Sequence, residues 1–169
     1  MEACSLLLRP VDQHDASALV AFYNGLSQAT IRMFRPLGTM TSLEVCHGIV
    51  AENELSPASR FDLVACDHGV IAGWSFLAGL NTNHPGLGIA VADRMQGQGV
   101  GPALLTRIVR FALERGLAAI YLTVVQDNRR AIELYQRYGF VTYDEQFDEA
   151  DRLPYFHMVA HIEAAVPAD

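Results

Sequence analysis

The 169-residue sequence is 51% hydrophobic and 18% charged, a balance that suits one globular domain with a substantial buried core. Its 12 Lys and Arg residues against 19 Asp and Glu residues give a formal net charge of −7. This charge argues against a nucleic-acid-binding protein, which needs clustered cations to neutralise phosphates. The cysteines, Cys4, Cys46 and Cys66, form no Cys-x-x-Cys pair, so we expect no disulfide framework and a reducing, cytoplasmic setting.

Membrane spans and metal sites also lack support in the sequence. The run Leu6-Leu7-Leu8 is too short, and is followed too closely by Arg9-Pro10, for a signal peptide or a membrane span. The histidines show no metal-binding spacing beyond His157 and His161, which lie about 13 Å apart if that region is a strand. We therefore expect no metal and no membrane partner.

The first 80 residues are predicted to form a strand, a group of helices and two further strands. Apolar residues recur first at helical spacing and later in β-rich runs. Predicted strands cover residues 6–9, 61–66 and 70–80, and predicted helices cover a segment capped by Asp12 or Asp15, residues 27–34 and residues 42–53. Thr41-Ser42-Leu43-Glu44 matches a capping box in which the Thr41 hydroxyl accepts from the Glu44 N–H. Asp67-His68-Gly69 predicts a hairpin turn.

The stretch from Gly86 to Ala92 alternates strictly between larger and smaller residues. Leu87, Ile89 and Val91 fall on one face of a predicted strand, and Gly88, Ala90 and Ala92 fall on the other. One face is therefore expected to pack, while the other stays nearly bare and leaves room for a ligand or for a closely packed element.

A glycine loop follows that strand and precedes a helical pattern from Pro102. Alternate glycines at positions 97, 99 and 101 let the backbone approach a ligand, and a helix start offers unpaired N–H groups, so the loop suits a diphosphate. A plain tight connection between strand and helix is the alternative. The spacing differs from the Gly-x-Gly-x-x-Gly dinucleotide fingerprint, although a nicotinamide or flavin enzyme remains a distant alternative.

The second half continues with alternating strands and helices. Predicted strands cover residues 119–125, 141–147 and 155–162, and a predicted helix runs from residue 128 to residue 138, where Gly139 ends it. Asn128 and Tyr135 are seven residues apart, so they share one helix face about 10.5 Å apart. Taken alone, Asn128 is most simply a helix cap and Tyr135 a half-buried core residue. The order of elements predicts a mixed α/β layer fold in which sequential strands mostly pair as neighbours.

From Val91 to Gly101 the chain resembles the acyl-CoA loop of the GCN5-related N-acetyltransferase (GNAT) family. The family pattern is Gln or Arg, two residues, Gly, one residue, Gly or Ala, and Gln96, Gly99 and Gly101 fill it. Asn128, Leu134-Tyr135 and Gly139-Phe140 match the second signature of the family. The resemblance covers most of the chain and is loosest between residues 27 and 59.

The resemblance implies a mostly antiparallel mixed sheet flanked by helices, and direct transfer of an acetyl group from acetyl-CoA to an amine. The β-strand backbone would hold the pantetheine arm and the loop would hold the diphosphate. The implied cofactor-binding residues are Ile89, Ala90, Val91, Gln96, Gly97, Gln98, Gly99, Val100, Gly101, Pro102, Asn128 and Tyr135. Tyr135 would also be the general acid, because a phenol with a reference pKa near 10 stays protonated at pH 7 and can donate to the departing thiolate. Tyr138 is the competing phenol.

The acceptor side departs from the family pattern. Thr123 stands where many relatives that acetylate protein N-termini carry a Glu, and a neutral hydroxyl is a poor base. The base could then be Asp93, His84, His157 or a water chain. Phe34, Arg35 and His84 are candidates to line the acceptor site. Thr123 also motivates an alternative function, an acyl-CoA-binding sensor or regulatory module without turnover.

The expected organisation is one acetyltransferase domain over residues 1–163 with a flexible tail over residues 164–169. The expected partners are acetyl-CoA and an amine acceptor, either a small molecule or a peptide or protein amine, with no nucleic acid, membrane or metal. A homodimer is compatible with the resemblance, because relatives often dimerise.

Overall fold

The computed structural model describes residues 6–162, which form one seven-stranded sheet with helices on both faces. The strands are β1 (Leu6–Pro10), β2 (Arg60–Asp67), β3 (Val70–Ala78), β4 (Gly86–Val91), β5 (Ala119–Val125), β6 (Val141–Asp148) and β7 (Leu153–His161). The helices are α1 (Ala16–Asn24), α2 (Gln28–Met33), α3 (Leu43–Leu55), α4 (Val100–Glu114) and α5 (Arg129–Arg137), with a 3-10 turn at Asp93–Met95. The predicted C-terminal tail and Cys4 lie outside the described residues.

The sheet is mixed and mostly antiparallel, as the family resemblance implies. Its order is β1-β2-β3-β4-β5-β7-β6, and the β4–β5 neighbours are the parallel pair among the described strands. Sequential strands mostly pair as neighbours, as expected, and the exception is β5 and β6, because β7 lies between them. The helix α5 carries the chain away from β5 and places β6 at the edge, and β7 fills the remaining position.

The two faces of the sheet bury separate hydrophobic clusters. One cluster packs α4 against the sheet through Leu104, Leu105 and Ile108, all fully buried. The other lies under α1 and α3 and contains Trp74 and Tyr23. The alternation of β4 is confirmed, because Leu87 belongs to the first cluster, whereas Ala90 belongs to the second.

Local turn and cap signals in the sequence are mostly confirmed. His68 and Gly69 both have positive φ, at 49° and 81°, which is the backbone of a tight two-residue hairpin turn. Gly139 also has a positive φ, and the Phe140 N–H returns to the Tyr135 carbonyl at 3.1 Å, closing α5 with a glycine C-cap.

Three predicted helix starts need correction. Ser42, not Thr41, caps α3, since its hydroxyl accepts from the Val45 N–H at 3.3 Å. The residue Asp15 precedes α1, but its carboxylate pairs with Arg9 at 2.6 and 2.9 Å and does not cap the helix. Helix α4 begins at Val100, two residues before Pro102, because Gly99 already turns the chain into the first helical residue.

Candidate functional site

The candidate site lies where the sheet opens between β4 and β5. These parallel neighbours share a single register pair, Gly86 with Tyr121, whereas all six residues of β4 pair with β3. Beyond Gly86 the two strands diverge. A cleft therefore opens in the middle of the sheet, lined on one side by backbone that would otherwise form a ladder.

The backbone of β4 turns polar groups into this cleft. The Tyr121 N–H donates to the Pro85 carbonyl at 2.9 Å, so alternate residues starting from Pro85 direct their N–H and C=O groups toward β5. Ile89 and Val91 share this orientation, while the N–H of Ala90 turns toward β3. The cleft therefore presents the N–H groups of Ile89 and Val91, two of the three predicted to hold an acyl-CoA arm.

The glycine loop closes one end of the cleft at the start of α4. Gly97 and Gly99 have φ values of +81° and +85°, in the left-handed region that favours glycine. No atom lies within 4 Å of the point where a Cβ on Gly99 would stand, and Gly99 and Gly101 both line the cavity, so the start of α4 borders open space. This unobstructed helix start fits a diphosphate.

The side chains of the loop hold its shape and leave its backbone exposed. Gln96 donates to the Thr30 hydroxyl at 3.1 Å and to the Val91 carbonyl at 3.2 Å. Gln98 donates to the Arg94 carbonyl at 2.8 Å, outside the cavity, and the Val100 side chain is buried in the core. Any contact that Gln98 and Val100 make with a ligand would therefore come from their backbone.

A cavity of about 900 Å³ fills the cleft and joins residues from distant parts of the chain. Its lining residues come from β4, the glycine loop, α5, α2 and the β6–β7 hairpin. Of the predicted cofactor-binding residues, those that line it are Ile89, Ala90, Val91, Gln96, Gly97, Gly99, Gly101, Pro102, Asn128 and Tyr135.

Tyr135 projects from α5 into this cavity while its ring packs in the core. The residue is 7% exposed, and its ring lies 5.7 Å from that of Phe140, the contact that accompanies the glycine C-cap. Burial raises the pKa of the Tyr135 phenol above its ordinary value. The hydroxyl therefore stays protonated at neutral pH, the state that can donate a proton.

Tyr138 and Asn128 have structural partners of their own. The Tyr138 hydroxyl lies 2.6 Å from that of Thr106 and donates to the Pro102 carbonyl at 3.1 Å, which ties α5 to α4. Tyr138 does not line the cavity. Asn128 caps α5 by accepting from the Ala131 N–H at 3.3 Å, and it also lines the cavity, so its two predicted roles are compatible.

Aromatic rings cover the nearly bare face of β4 at Gly88. A Cβ on Gly88 would lie 2.3 Å from the Phe76 ring and 3.1 Å from that of Phe34. Phe34 and Arg35 both line the cavity, and Arg35 forms an ion pair with Asp151 of the β6–β7 connection. His84 lies outside the cavity, with its ring centroid 4.6 Å from that of Tyr121 in a tilted arrangement.

The short helix α2 spans the cleft through polar contacts on both sides. Asp93, which follows β4, accepts from the Ser27 N–H at 2.9 Å and from the hydroxyls of Ser27 and Thr30 at 2.5 and 2.8 Å. Arg32 donates through two bonds of 3.0 and 2.9 Å to Asp127, which follows β5. Helix α2 thus connects the diverging ends of the two strands.

Of the three side chains named as possible bases, His157 is the one that lines the cavity. Burial of Asp93 opposes ionisation, but hydrogen bonds from Ser27 and Thr30 outweigh burial and lower the pKa of its carboxyl, which makes it a weak base. Asp93 and His84 do not line the cavity, whereas His157 and Thr123 do, as register partners on β7 and β5.

Several cavity residues were not predicted. Arg130 brings a cation to the loop, since its Nη2 lies 3.4 Å from the point where a Cβ on Gly97 would stand. The sequence feature that could have pointed to this cation is the adjacent pair Arg129-Arg130 at the start of α5, because such a pair stands out in an acidic chain. No local pattern marks the residues of the β6–β7 hairpin, which are Gln146, Asp148, Asp151 and Tyr155.

Residues 6–162 contain neither a membrane-spanning helix nor a metal-binding group of side chains. None of the helices there is long and apolar enough to cross a membrane. No group of three or more His, Cys, Asp or Glu side chains in that range could hold a metal ion.

Sequence comparison identifies the family of this chain. The profile of the acetyltransferase (GNAT) family matches residues 19–140. A mycothiol acetyltransferase from Arthrobacter sp. (strain FB24) is 32% identical over 63% of this chain. That match covers 34% of the relative, so the chain spans about a third of the length of this curated relative.

Solved structures share the fold over nearly the whole chain. The acetyltransferase of the GNAT family from Streptococcus pneumoniae has a TM-score of 0.79 and 26% identity, covering 93% of this chain and 99% of that one. The spermidine N-acetyltransferase from Vibrio cholerae, solved with CoA and spermine, has a TM-score of 0.80 at 19% identity, covering 96% and 98%. Because the profile covers well over half of the sequence and a GNAT structure superposes on most of it, this chain belongs to the acetyltransferase (GNAT) family.

Proposed function

We propose that this protein transfers the acetyl group of acetyl-CoA directly to an amine, with Tyr135 as the general acid. One observation carries the proposal. A single cavity joins the exposed backbone of β4, the open helix start at Gly99 and the protonated phenol of Tyr135. Residues 1–163 would act as one domain, and the reaction needs no metal.

Each part of the cavity has a role in this proposal. Acetyl-CoA supplies an activated acyl group as a thioester. The N–H groups of α4 and the Arg130 guanidinium hold its phosphates, and the N–H groups of Ile89 and Val91 hold the pantetheine arm beside β4. Tyr135 gives its proton to the departing sulfur, whose reference pKa near 8.5 lies below that of a phenol, so protonation must be concerted with bond breaking.

The acceptor is an amine that enters on the side of Phe34 and the β6–β7 hairpin. Relatives and structural neighbours are named for mycothiol and spermidine, so both suggest acceptors to test. The fold alone does not select among amines.

A panel of acceptors tests the proposal. Purified protein is mixed with acetyl-CoA and, separately, with spermidine, spermine, aminoglycosides, amino acids, peptides and an amine from mycothiol metabolism, and free thiol is measured. We expect acetyl-CoA to bind and at least one amine to release CoA and become acetylated. Absence of acetyl-CoA binding would overturn the proposal, and a dinucleotide that binds in its place would favour the nicotinamide or flavin alternative.

A second candidate function, an acyl-CoA sensor, is favoured by Thr123. This residue lines the cavity, and it stands where relatives that acetylate protein N-termini often carry a Glu. A sensor would bind acetyl-CoA tightly and acetylate none of the amines in the panel. The two functions therefore separate at turnover, not at binding.

A further inference from the structure

His157 carries an imidazole in the acceptor part of the cavity, the part lined by Phe34 and the β6–β7 hairpin. It lies on β7 directly opposite Thr123 of β5, and both residues line the cavity. Residues paired across antiparallel strands have Cβ atoms about 5 Å apart on one face of the sheet. His157 therefore stands one strand away from the cleft edge, on the same face as Thr123.

A neighbouring amide holds the His157 ring. The Nε2 atom lies 3.0 Å from the Oε1 atom of Gln146 on β6. A carbonyl oxygen only accepts hydrogen bonds, so Nε2 carries the proton and Nδ1 of the neutral ring has its lone pair available. Gln146 thus sets the tautomer that makes the ring a proton acceptor.

The carboxylates near the cavity have other partners. Asp151 pairs with Arg35, and Asp148 accepts from the Asp151 N–H at 2.8 Å, which shapes the turn between β6 and β7. Asp93 accepts three hydrogen bonds from Ser27 and Thr30. Of the candidate bases, the His157 imidazole is therefore the one that lines the cavity.

We propose that His157 is the general base that deprotonates the acceptor ammonium, and that Gln146 is its positioning residue. Nδ1 takes one proton from the ammonium and passes it to solvent, which frees the nitrogen lone pair. The nitrogen then bonds to the acyl carbon and the carbon–sulfur bond breaks. Tyr135 gives its proton to sulfur, and the second proton leaving nitrogen replaces it. This inference rests on the proposed acetyl transfer.

Charged and titratable groups surround His157 on several elements. The Tyr143 ring of β6 lies 6.0 Å from the imidazole, and Asp144 is its register partner on that strand. The same cavity is lined by four more such groups, which are Asp148 at the end of β6, Asp151 of the β6–β7 connection, Tyr155 of β7 and Arg35 after α2.

The variant His157→Gln tests the proposal through pH. The substrate is spermidine, or the primary alkylamine that the panel ranks above it. We expect kcat/KM at pH 7 to fall about 100-fold, within the range for loss of a general base. Above the pKa of the amine the substrate no longer needs deprotonation, so the ratio of wild-type to variant kcat/KM should shrink at least about tenfold. His161→Gln, on the same strand but outside the cavity, should match the wild type.

Other results would overturn the role of His157. A ratio that stays constant across pH indicates a structural defect, and a variant as active as the wild type removes His157 from the reaction. Acetyl-CoA affinity and melting temperature are measured on each variant, and both should stay close to wild-type values. If no amine is acetylated by the wild type, the proposed function fails first, a result distinct from either of these.

Gln146 provides a second variant that leaves the imidazole in place. Gln146→Leu removes the acceptor at Nε2, so we expect a partial loss in kcat/KM, about tenfold, that also shrinks at high pH. Gln146→Glu keeps an oxygen acceptor and should retain most of the activity. Equal loss in both variants at every pH would contradict the positioning role.

Discussion

The proposed general-acid role of Tyr135 depends on one group, its hydroxyl. Its ring is held by Phe140 and by burial in the core, while the residue lines the cavity. Tyr135→Phe removes only the proton donor, so we expect kcat to fall about 100-fold while acetyl-CoA affinity changes by no more than a few-fold. Thiol release gives kcat, and calorimetric titration gives the affinity.

Tyr138→Phe is the matched control for this change. Its hydroxyl bonds to Thr106 and to the Pro102 carbonyl, so the loss should appear as a lower melting temperature with turnover per folded molecule retained. A turnover loss confined to Tyr138→Phe would reverse the assignment of the two phenols.

Gly99 directly precedes the helix α4 and forms the open N-terminus of that helix. Gly99→Asp places a carboxylate where the diphosphate is proposed to bind and strains a φ of +85°, so acetyl-CoA affinity should fall at least about 100-fold, or about 2.7 kcal/mol. Gly116→Asp introduces the same residue at a φ of +70° beyond the other end of α4, and it should leave affinity within a few-fold. Similar losses in both variants would indicate helix strain alone.

An ion pair that sequence patterns could not reveal joins the helix α2 to the segment after β5. Arg32 and Asp127 are 95 residues apart and both are exposed, so solvent screens the pair and it contributes little to stability. Its proposed effect is on the acceptor, because α2 borders the cavity. We expect Arg32→Ala to raise acceptor KM about threefold and a charge swap, Arg32→Asp with Asp127→Arg, to restore part of it. An unchanged KM in Arg32→Ala would contradict this role.

The pH dependence of this pair has a definite sign. Hydrogen bonds from Arg32 lower the pKa of the Asp127 carboxyl, so the pair is fully formed above the ordinary aspartate range and is lost as pH falls through the lowered pKa. The KM difference between wild type and Arg32→Ala should therefore be constant near neutrality and should disappear only in strong acid. Steady-state kinetics over a pH series would measure it.

Elements with strong local signals could be predicted from the sequence, and elements defined by distant contacts could not. Strand β5 has the predicted bounds, and Gly139 ends α5 as expected, because periodicity and glycine caps act within a few residues. The insertion of β7 between β5 and β6 depends on pairing that no local pattern encodes. The proposed roles of Arg130 and Gln146 could not be predicted for the same reason, because they depend on the folded sheet bringing α5 and β6 to the cleft.

At the scale of the whole molecule, Asp62 joins the sheet to the helices beneath the acceptor side. The carboxylate is fully buried and accepts from Arg60 at 2.5 and 3.0 Å, from Asn53 of α3 at 2.9 Å and from the Trp74 indole of β3 at 2.7 Å. Asp62→Ala leaves these donors buried without their partner, so we expect the free energy of unfolding to fall by about 3–5 kcal/mol.

Urea denaturation measures this loss as a lower midpoint at an unchanged slope. Asp144→Ala, on the exposed edge strand β6, should change the free energy of unfolding by less than about 0.5 kcal/mol. Trp74 and Phe76 pack against each other at 5.1 Å, and Phe76 lines the cavity, so loosening Asp62 should also weaken the acceptor site. If Asp62→Ala were as stable as Asp144→Ala, the buried carboxylate would not be what couples the acceptor side to the core.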